Sequence, residues 1–420
     1  MAKENVLFFL YRLYGGGGER VISNLSQDLA ESYQVKIAIF DTSEQTYPYK
    51  GELIRIKLPF SKDTAGNNRW ARAVRLIVLI YQLKKIKRQH RIDVAISFAE
   101  QANIINVLTR GKTRTILSVR TILSKHILEA ANPNTLEWLI RRLYNRAHHI
   151  IVPSKAAGRD LIANFIVSPL KLEVIYNYVD QERITRMSME IIDDLFLSNL
   201  FQQPILLNVG RVTPAKGQWL LFELIRKIKP QFPDWKLVII GEAENEGPLK
   251  SQLIDLAEKL GLKLYDHSMG QQQSLDYEIY LLGYQENPFR FMRKSKVLLF
   301  PSVFEGFPNT VLEAMQCGLP VIVADSPSGA REIIAPDSDP SKNENKTEFT
   351  KYGILAPSLP TADISKAIDE KTIHEWVVAV ITLIGDTDLQ TELIQNGYIR
   401  VKDFDKQSIL KQWKESIVAE

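Results

Sequence analysis

Short apolar runs of strand length recur along the chain, with helical patterns between several of them. In the first half they are Val6–Leu10, Val35–Phe40, Ile54–Leu58, Val94–Phe98, Thr113–Leu117 and Ile150–Val152. Arg20–Ser32 and Leu136–Arg146 read as helices between them. Continuous apolar strands separated by helices call for a parallel sheet covered on both faces. Residues 181–203 break the rhythm: they are charged, contain Met and Ser, and end in Gln202, Gln203 and Pro204. They read as a helix and linker between domains. The second half repeats the alternation, with strands at Ile205–Val209, Lys236–Ile240, Ile279–Gly283, Val297–Phe300 and Val321–Ala324. Its helices fall at Gly217–Lys229, Pro248–Leu260, Asn309–Cys317 and from Asp363 onward. The pattern predicts two doubly wound α/β domains, residues 1–195 and 196–400. Residues 401–420 form a last helix expected to pack back toward the first domain. Lys263–Glu278 lacks a clear period, and Asp337–Thr350 reads as a surface loop.

Composition narrows the class. At 420 residues the chain outgrows a single core, and its 45% hydrophobic and 24% charged residues are globular values. The single cysteine, Cys317, excludes a disulfide framework and a cysteine-based zinc site. No segment approaches the roughly 18 to 20 apolar residues of a membrane span. The N-terminus reads as a first buried strand rather than a signal peptide, so a cytoplasmic location is expected. The net charge of +4 conceals an asymmetry. Residues 1–180 hold 27 Lys and Arg against 15 Asp and Glu, whereas the remainder holds 26 against 34. Within the basic half, residues 69–91 carry eight Lys and Arg and no acid. Trp70, Val74, Ile77, Val78, Tyr81 and Leu83 run among them at roughly helical spacing. A basic amphipathic helix of this kind suits an anionic membrane surface; a core helix with one solvated face is the plainer reading.

In open parallel sheets, ligands bind outside the carboxyl ends of strands, which directs attention to three segments. Gly15–Gly18 follows the first strand and opens a helix, where bare backbone and free N–H groups suit an anion. A plain tight turn would look the same. The segment from Gly210 and Arg211 to Lys216 and Gly217 follows Ile205–Val209, and its guanidinium and ammonium can clamp linked phosphates. Two solvated loop cations are the alternative. In Glu305-Gly306-Phe307-Pro308-Asn309-Thr310-Val311-Leu312-Glu313, two glutamates flank a helix start whose N–H groups and dipole favour phosphate. Carboxylates beside it can accept hydrogen bonds from sugar hydroxyls; a capping acid and a surface acid are the alternative.

EGFPNTVLE followed by AMQCGLPVI, together with GRVTPAKG, resembles the retaining glycosyltransferases of family 4. The glycine-loop start, these motifs and a last helix with Trp413 occur in that family's order over nearly the whole chain. The resemblance implies the GT-B architecture, two Rossmann-like domains facing across a cleft. It also implies roles. Arg211 and Lys216 would neutralise the diphosphate of a nucleotide-sugar, Glu305 would hold hydroxyls of the transferred sugar, and Glu313 the ribose. Backbone amides of Phe307, Asn309 and Thr310 would meet sugar and phosphates, and Gly16 and Gly17 would approach from the first domain. Glu242 and Tyr284, with Gln285, would border the nucleotide. The segment from Ser326 to Glu332 resembles members that use UDP-hexoses or UDP-N-acetylhexosamines in surface-polysaccharide assembly. The family's histidine after the strand at Thr113–Leu117 is replaced by Ser118-Val119-Arg120. Arg120 would assist at phosphate or sugar; His126, His148 and His149 read as surface or structural residues.

The implied reaction is metal-independent transfer of a hexosyl or N-acetylhexosaminyl unit, with retained configuration, to a glycan or polyprenyl-diphosphate-linked acceptor. The nucleotide-sugar is a substrate, and no cofactor is expected. Glu100, after a strand, is the one mild candidate for a nucleophile in the basic half. An epimerase or phosphorylase on the same fold is disfavoured by the paired glutamates and the lack of a cofactor-lysine context. A catalytically silent nucleotide-sugar-binding or scaffold subunit remains the rival from another class. Nucleic acid is not an expected partner, because the cations are spread among strands without a recognition motif.

Overall fold

The computed structural model describes residues 3–14, 16–41, 46–59, 68–129, 132–243, 248–338 and 345–418. Gly15, and residues 339–344 of the segment read as a surface loop, lie outside the described residues. The chain divides into two units: unit 1 comprises residues 1–177 and 407–420, and unit 2 comprises residues 178–406.

Unit 1 is built on β1 (Asn5–Leu10), β2 (Gln34–Ile39), β3 (Glu52–Arg55), β4 (Val94–Phe98), β5 (Arg114–Ser118), β6 (His149–Val152) and β7 (Leu172–Val174). They lie in the order β3-β2-β1-β4-β5-β6-β7 with parallel pairings throughout. The strand order reverses beside β1, which pairs with both β2 and β4 and so makes the switch point of the sheet. The central strands are buried along almost their whole length, which is why they read as unbroken apolar runs. Leu7, Phe9 and Ala95 pack with Leu79, Leu83 and Ile86 of the Arg69–Gln89 helix. Leu117, Val119 and Val152 pack with Leu143, Leu161 and Phe165.

Unit 2 is built on β8 (Ile205–Val209), β9 (Lys236–Ile240), β10 (Leu264–Asp266), β11 (Ile279–Leu281), β12 (Val297–Phe300), β13 (Val321–Asp325), β14 (Glu348–Thr350) and β15 (Gly353–Pro357). Their order is β10-β11-β9-β8-β12-β13-β15-β14, parallel except for the edge strand β14 against β15. The switch point lies at β8, which pairs with β9 and β12. Leu206, Leu221, Phe222, Leu299 and Trp376 contribute to its core.

β14 (Glu348–Thr350) forms a strand where a surface loop is expected, and two further expectations differ from the structure. The division falls at 177/178 rather than at 195. The Gln181–Ser188 helix, capped by Asp180, belongs to unit 2: Gln316 donates to Thr185 Oγ1 at 2.9 Å, and Asn287 donates to Met187 O at 2.7 Å. Its polar sequence imitates a linker. The second difference concerns the Arg69–Gln89 helix. Its core face is Ala71, Leu79, Leu83 and Ile86, so Leu83 leaves the expected stripe, while Trp70, Ile77 and Tyr81 are 67%, 65% and 65% exposed. The helix is apolar on both faces. No described helix is long and apolar enough to cross a membrane.

Candidate active site

Unit 2 brings together, around its switch point, several of the segments that carry expected residues. β8 ends at Val209, and the chain turns through Gly210 and Arg211 into a 3-10 turn, Pro214–Lys216. Gly217 follows in the left-handed region at φ +64°, and a Cβ there would lie 2.4 Å from Pro301 O. Only glycine lets this loop pack so closely on the segment after β12. Val303 N–H donates to Ala215 O at 2.8 Å and ties the two segments again. On the other side, Val212 N–H donates to Glu242 O at 2.9 Å, and Gly241 N–H donates to Gly283 O at 2.8 Å. The segments after β8, β9, β11 and β12 are thus laced into one rim by backbone hydrogen bonds. Arg211, Lys216, Glu242, Tyr284 and Glu305 all stand on that rim.

Lys216 folds back over Gly210, its Cε 3.6 Å from where a Cβ would stand, and forms an ion pair with Glu305 Oε1. Ser302 Oγ donates to the same oxygen at 3.3 Å, and Lys216 Nζ lies 5.2 Å from the Phe300 ring centroid. The two side chains are 20% and 19% exposed, enough screening from water to strengthen the pair while leaving it within reach of a ligand. Gln218, buried, donates from Nε2 to Arg211 O at 2.9 Å and fixes the carbonyl of a residue whose side chain is exposed. Gln218 and Ser302 are supports that the sequence reading missed. Isolated polar residues next to a motif carry no spacing signal of their own.

The Asn309–Gln316 helix starts after Pro308 without a side-chain cap. Of its first N–H groups, that of Asn309 donates to Phe307 O at 3.1 Å and that of Val311 to Pro308 O at 3.0 Å; Thr310 and Glu313 are partly exposed. The Phe307 side chain is buried, with its ring centroid 5.6 Å from that of Phe404, and offers a ligand no side-chain contact. Arg331, in the segment beyond β13, is committed to structure: it bonds Asp325 through Nε at 3.0 Å and Nη2 at 2.6 Å, and it meets Glu348 at 2.9 Å. The bond to Asp325 holds its pKa above the usual arginine value.

In unit 1, Gly16 is the N-cap and Gly17 the first residue of the Gly17–Leu29 helix. Arg120 follows β5; its Nη2 donates to Asn177 Oδ1, and burial lowers its pKa to about 10. His148 accepts the Thr115 N–H on Nδ1 at 3.0 Å, a structural role, and burial lowers its pKa. His126 lies 3.8 Å from Glu100 Oε2. Among the described residues, no group of three or more His, Cys, Asp and Glu side chains is placed to hold a metal ion.

Two parallel α/β units, one carrying a cation loop, an acid and a helix start at its switch point, define a protein of GT-B type. The chain belongs to the family 4 glycosyltransferases. Residues 15–183 match Glycosyltransferase Family 4, and residues 198–347 match Glycosyl transferases group 1. It is 30% identical to an uncharacterized glycosyltransferase of Methanocaldococcus jannaschii over 87% of this chain and 88% of that one. It is 31% identical to the N-acetylgalactosamine-N,N'-diacetylbacillosaminyl-diphospho-undecaprenol 4-alpha-N-acetylgalactosaminyltransferase of Campylobacter jejuni, over 86% of this chain and 92% of that one. Among solved structures, Anabaena HepE in complex with UDP has the same fold at a TM-score of 0.72 and 18% identity, over 99% of this chain and 100% of that one. WaaG, a glycosyltransferase involved in lipopolysaccharide biosynthesis, matches at a TM-score of 0.70 and 16% identity, over 99% and 100%.

Proposed function

We propose that the chain is a retaining glycosyltransferase that moves a hexosyl or N-acetylhexosaminyl unit from a nucleotide-sugar, a UDP-sugar in the first instance. The acceptor is a glycan or a polyprenyl-diphosphate-linked saccharide of surface-polysaccharide assembly. The observation that carries this reading is the Lys216–Glu305 pair at the switch point of unit 2. It sets a phosphate-binding cation against a hydroxyl-binding carboxylate, on the rim that also holds Arg211. The diphospho-undecaprenol named for the Campylobacter relative and the UDP held by HepE support the substrate classes.

In this mechanism the bond from the anomeric carbon to the β-phosphate oxygen breaks, and the acceptor oxygen bonds to that carbon on the face just vacated. The acceptor proton passes to the departing phosphate. Arg211, Lys216 and the N–H groups of the Asn309–Gln316 helix stabilise the charge that builds there, without calling on a metal. Glu305, released from Lys216 by the incoming diphosphate, accepts from sugar hydroxyls. Glu313 holds the ribose, and the amides of Phe307, Asn309 and Thr310 meet sugar and phosphate. Gly210 lets the phosphates approach the loop, and Glu242 and Tyr284 border the nucleotide. In unit 1, Gly16, Gly17 and Arg120 are assigned to phosphate or sugar. The enzyme works at the cytoplasmic face of an anionic membrane, with residues 69–91 as its contact.

The test is Lys216→Ala, measured by transfer from a panel of nucleotide-sugars and by thermal shift with UDP. Removing a preorganised charge contact is expected to cost about 100- to 1000-fold in rate. Undiminished transfer would remove Lys216 from the mechanism. Nucleoside diphosphate released only when an acceptor is present separates an active transferase from a silent binding subunit.

A further inference from the structure

The carboxyl end of β5 carries a second demand for an anion, this one inside unit 1. Val119 remains in the sheet, its N–H donating to Ile151 O at 3.0 Å, so Ser118 and Arg120 are alternate residues of one extended segment. Ser118 Oγ and Arg120 Nη1 are both out of solvent, and neither has a hydrogen-bond partner among the described residues. Among the described residues, the hydrogen-bond partner of the Arg120 guanidinium is neutral, Asn177 Oδ1. Burial pushes its pKa down, to about 10, and no carboxylate among the described residues offsets the cost. A buried cation lacking a counter-charge is expensive, and an orphaned buried donor adds to that expense.

The surroundings favour an anion as the missing partner. A Cβ on Gly18 would lie 3.9 Å from Arg120 Cγ, so the arginine stem runs beside the first turn of the 13-residue Gly17–Leu29 helix, the positive end of its dipole. The N-cap itself is covered by an internal carboxylate, since Glu19 Oε2 stands where a Cβ of Gly16 would be. The unmet demand is therefore that of Ser118 and Arg120.

We propose that Ser118 and Arg120 form an oxyanion site that takes a phosphate group in unit 1, with Asn177 orienting the guanidinium. The fork of the guanidinium fits two phosphate oxygens, and the serine hydroxyl supplies a further donor. This deepens the assignment of Arg120 within the transferase reading, and inorganic pyrophosphate tests it without requiring transfer. The phosphate of a donor and that of a lipid-linked acceptor share this chemistry.

Pyrophosphate binding to the full chain carrying Lys216→Ala, which weakens the phosphate contact of unit 2, is measured by calorimetry. Adding Arg120→Gln is expected to weaken it by about ten-fold or more, the range for hydrogen bonds to charged groups. Adding Ser118→Ala is expected to weaken it by less. Arg120→Gln is also expected to hold or raise the melting temperature of the free chain, because it deletes an uncompensated buried charge. A purely structural arginine would lower it. Pyrophosphate that binds alongside saturating UDP identifies the acceptor's phosphate. Pyrophosphate displaced by UDP, with UDP itself weakened by Arg120→Gln, identifies the donor's. Affinity unchanged in Arg120→Gln overturns the site. Should that variant fail to fold, Ser118→Ala decides: lost affinity supports the site, and unchanged affinity overturns it.

Discussion

Lys87 shows how strongly burial acts on one residue of this fold. Its ammonium donates to Asn106 Oδ1 at 2.7 Å, Asn106 O at 3.2 Å and Thr109 O at 3.3 Å, closing the end of the Glu100–Leu108 helix. No carboxylate is among these partners, and burial pushes its pKa down to about 7. An unfolded lysine titrates near ~10.4, so between about 7 and that value the unfolded chain binds the extra proton. Stability from this group is therefore lost as the pH falls across that window, and levels off below it. Lys87→Met is expected to flatten the rise of stability with pH, so the variant gains on the parent at pH 7 compared with pH 10. Urea unfolding of both chains across that range measures it, and a difference that stays constant with pH would show that Lys87 keeps its proton. Residues legible beforehand are of another kind. Arg211, Lys216, Glu305 and Glu313 are picked out as candidates because they stand at set spacings next to glycines and a helix start. Lys87, Ser302 and Gln218 were not, because their meaning comes from partners distant in sequence or from burial alone.

At the scale of elements, what could be read depended on how completely each strand is covered. β4, β8, β9 and β12 lie inside their sheets, and their apolar runs gave the right boundaries. β7, β10 and β14 are three-residue edge strands. With one side unpaired, and with β7 and β14 partly or largely exposed along their length, they have no apolar run to betray them. β15 is fully buried but only five residues long, beginning with a glycine and ending with a proline, and the sequence pattern leaves it unassigned. The Arg69–Gln89 helix was legible as a helix but not in its facing, since apolar residues on two faces blur the period. The face left outside carries Trp70, Ile77 and Tyr81, with exposed Lys84, Lys85 and Arg88 toward its end. Aromatic and aliphatic side chains beside cations are the makeup of an interfacial helix. Replacing Trp70, Ile77 and Tyr81 together by Ser is expected to reduce partitioning onto anionic vesicles by about ten-fold or more, given roughly 1.5–3 kcal/mol per large apolar side chain buried. Melting should change little, because these residues lie outside the core. Parent protein that ignores anionic vesicles at low salt would retire the membrane contact.

At the scale of the whole molecule, the chain leaves unit 1 once and returns to it at the end. The two crossings are adjacent within unit 2: Val179 bridges to Asp405, and its N–H donates to Phe404 O at 2.9 Å. The charge asymmetry follows the structural division, with 29 Lys and Arg against 16 Asp and Glu in unit 1, and 24 against 33 in unit 2. The returning helix, Lys406–Val418, buries Ile409, Trp413 and Ile417 almost completely. It is fastened by Arg114 donating to Ile417 O and by Ser416 donating to Glu173. Unit 1 therefore depends on the last residues of the chain, while unit 2 has a core of its own around Leu221, Phe222 and Trp376. At about 1.5–3 kcal/mol for each large apolar side chain, losing the three buried ones would remove a large part of the roughly 5–15 kcal/mol that holds a domain folded. Ending the chain after residue 406 is expected to split thermal unfolding into an early transition from unit 1 and a later one from unit 2. UDP should raise only the later transition, because the residues proposed to hold the nucleotide, Arg211, Lys216, Glu242, Tyr284 and Glu313, lie in unit 2. A single transition at the parent temperature would show that the last helix contributes little to unit 1. Loss of the UDP shift would show that the donor site cannot form without it.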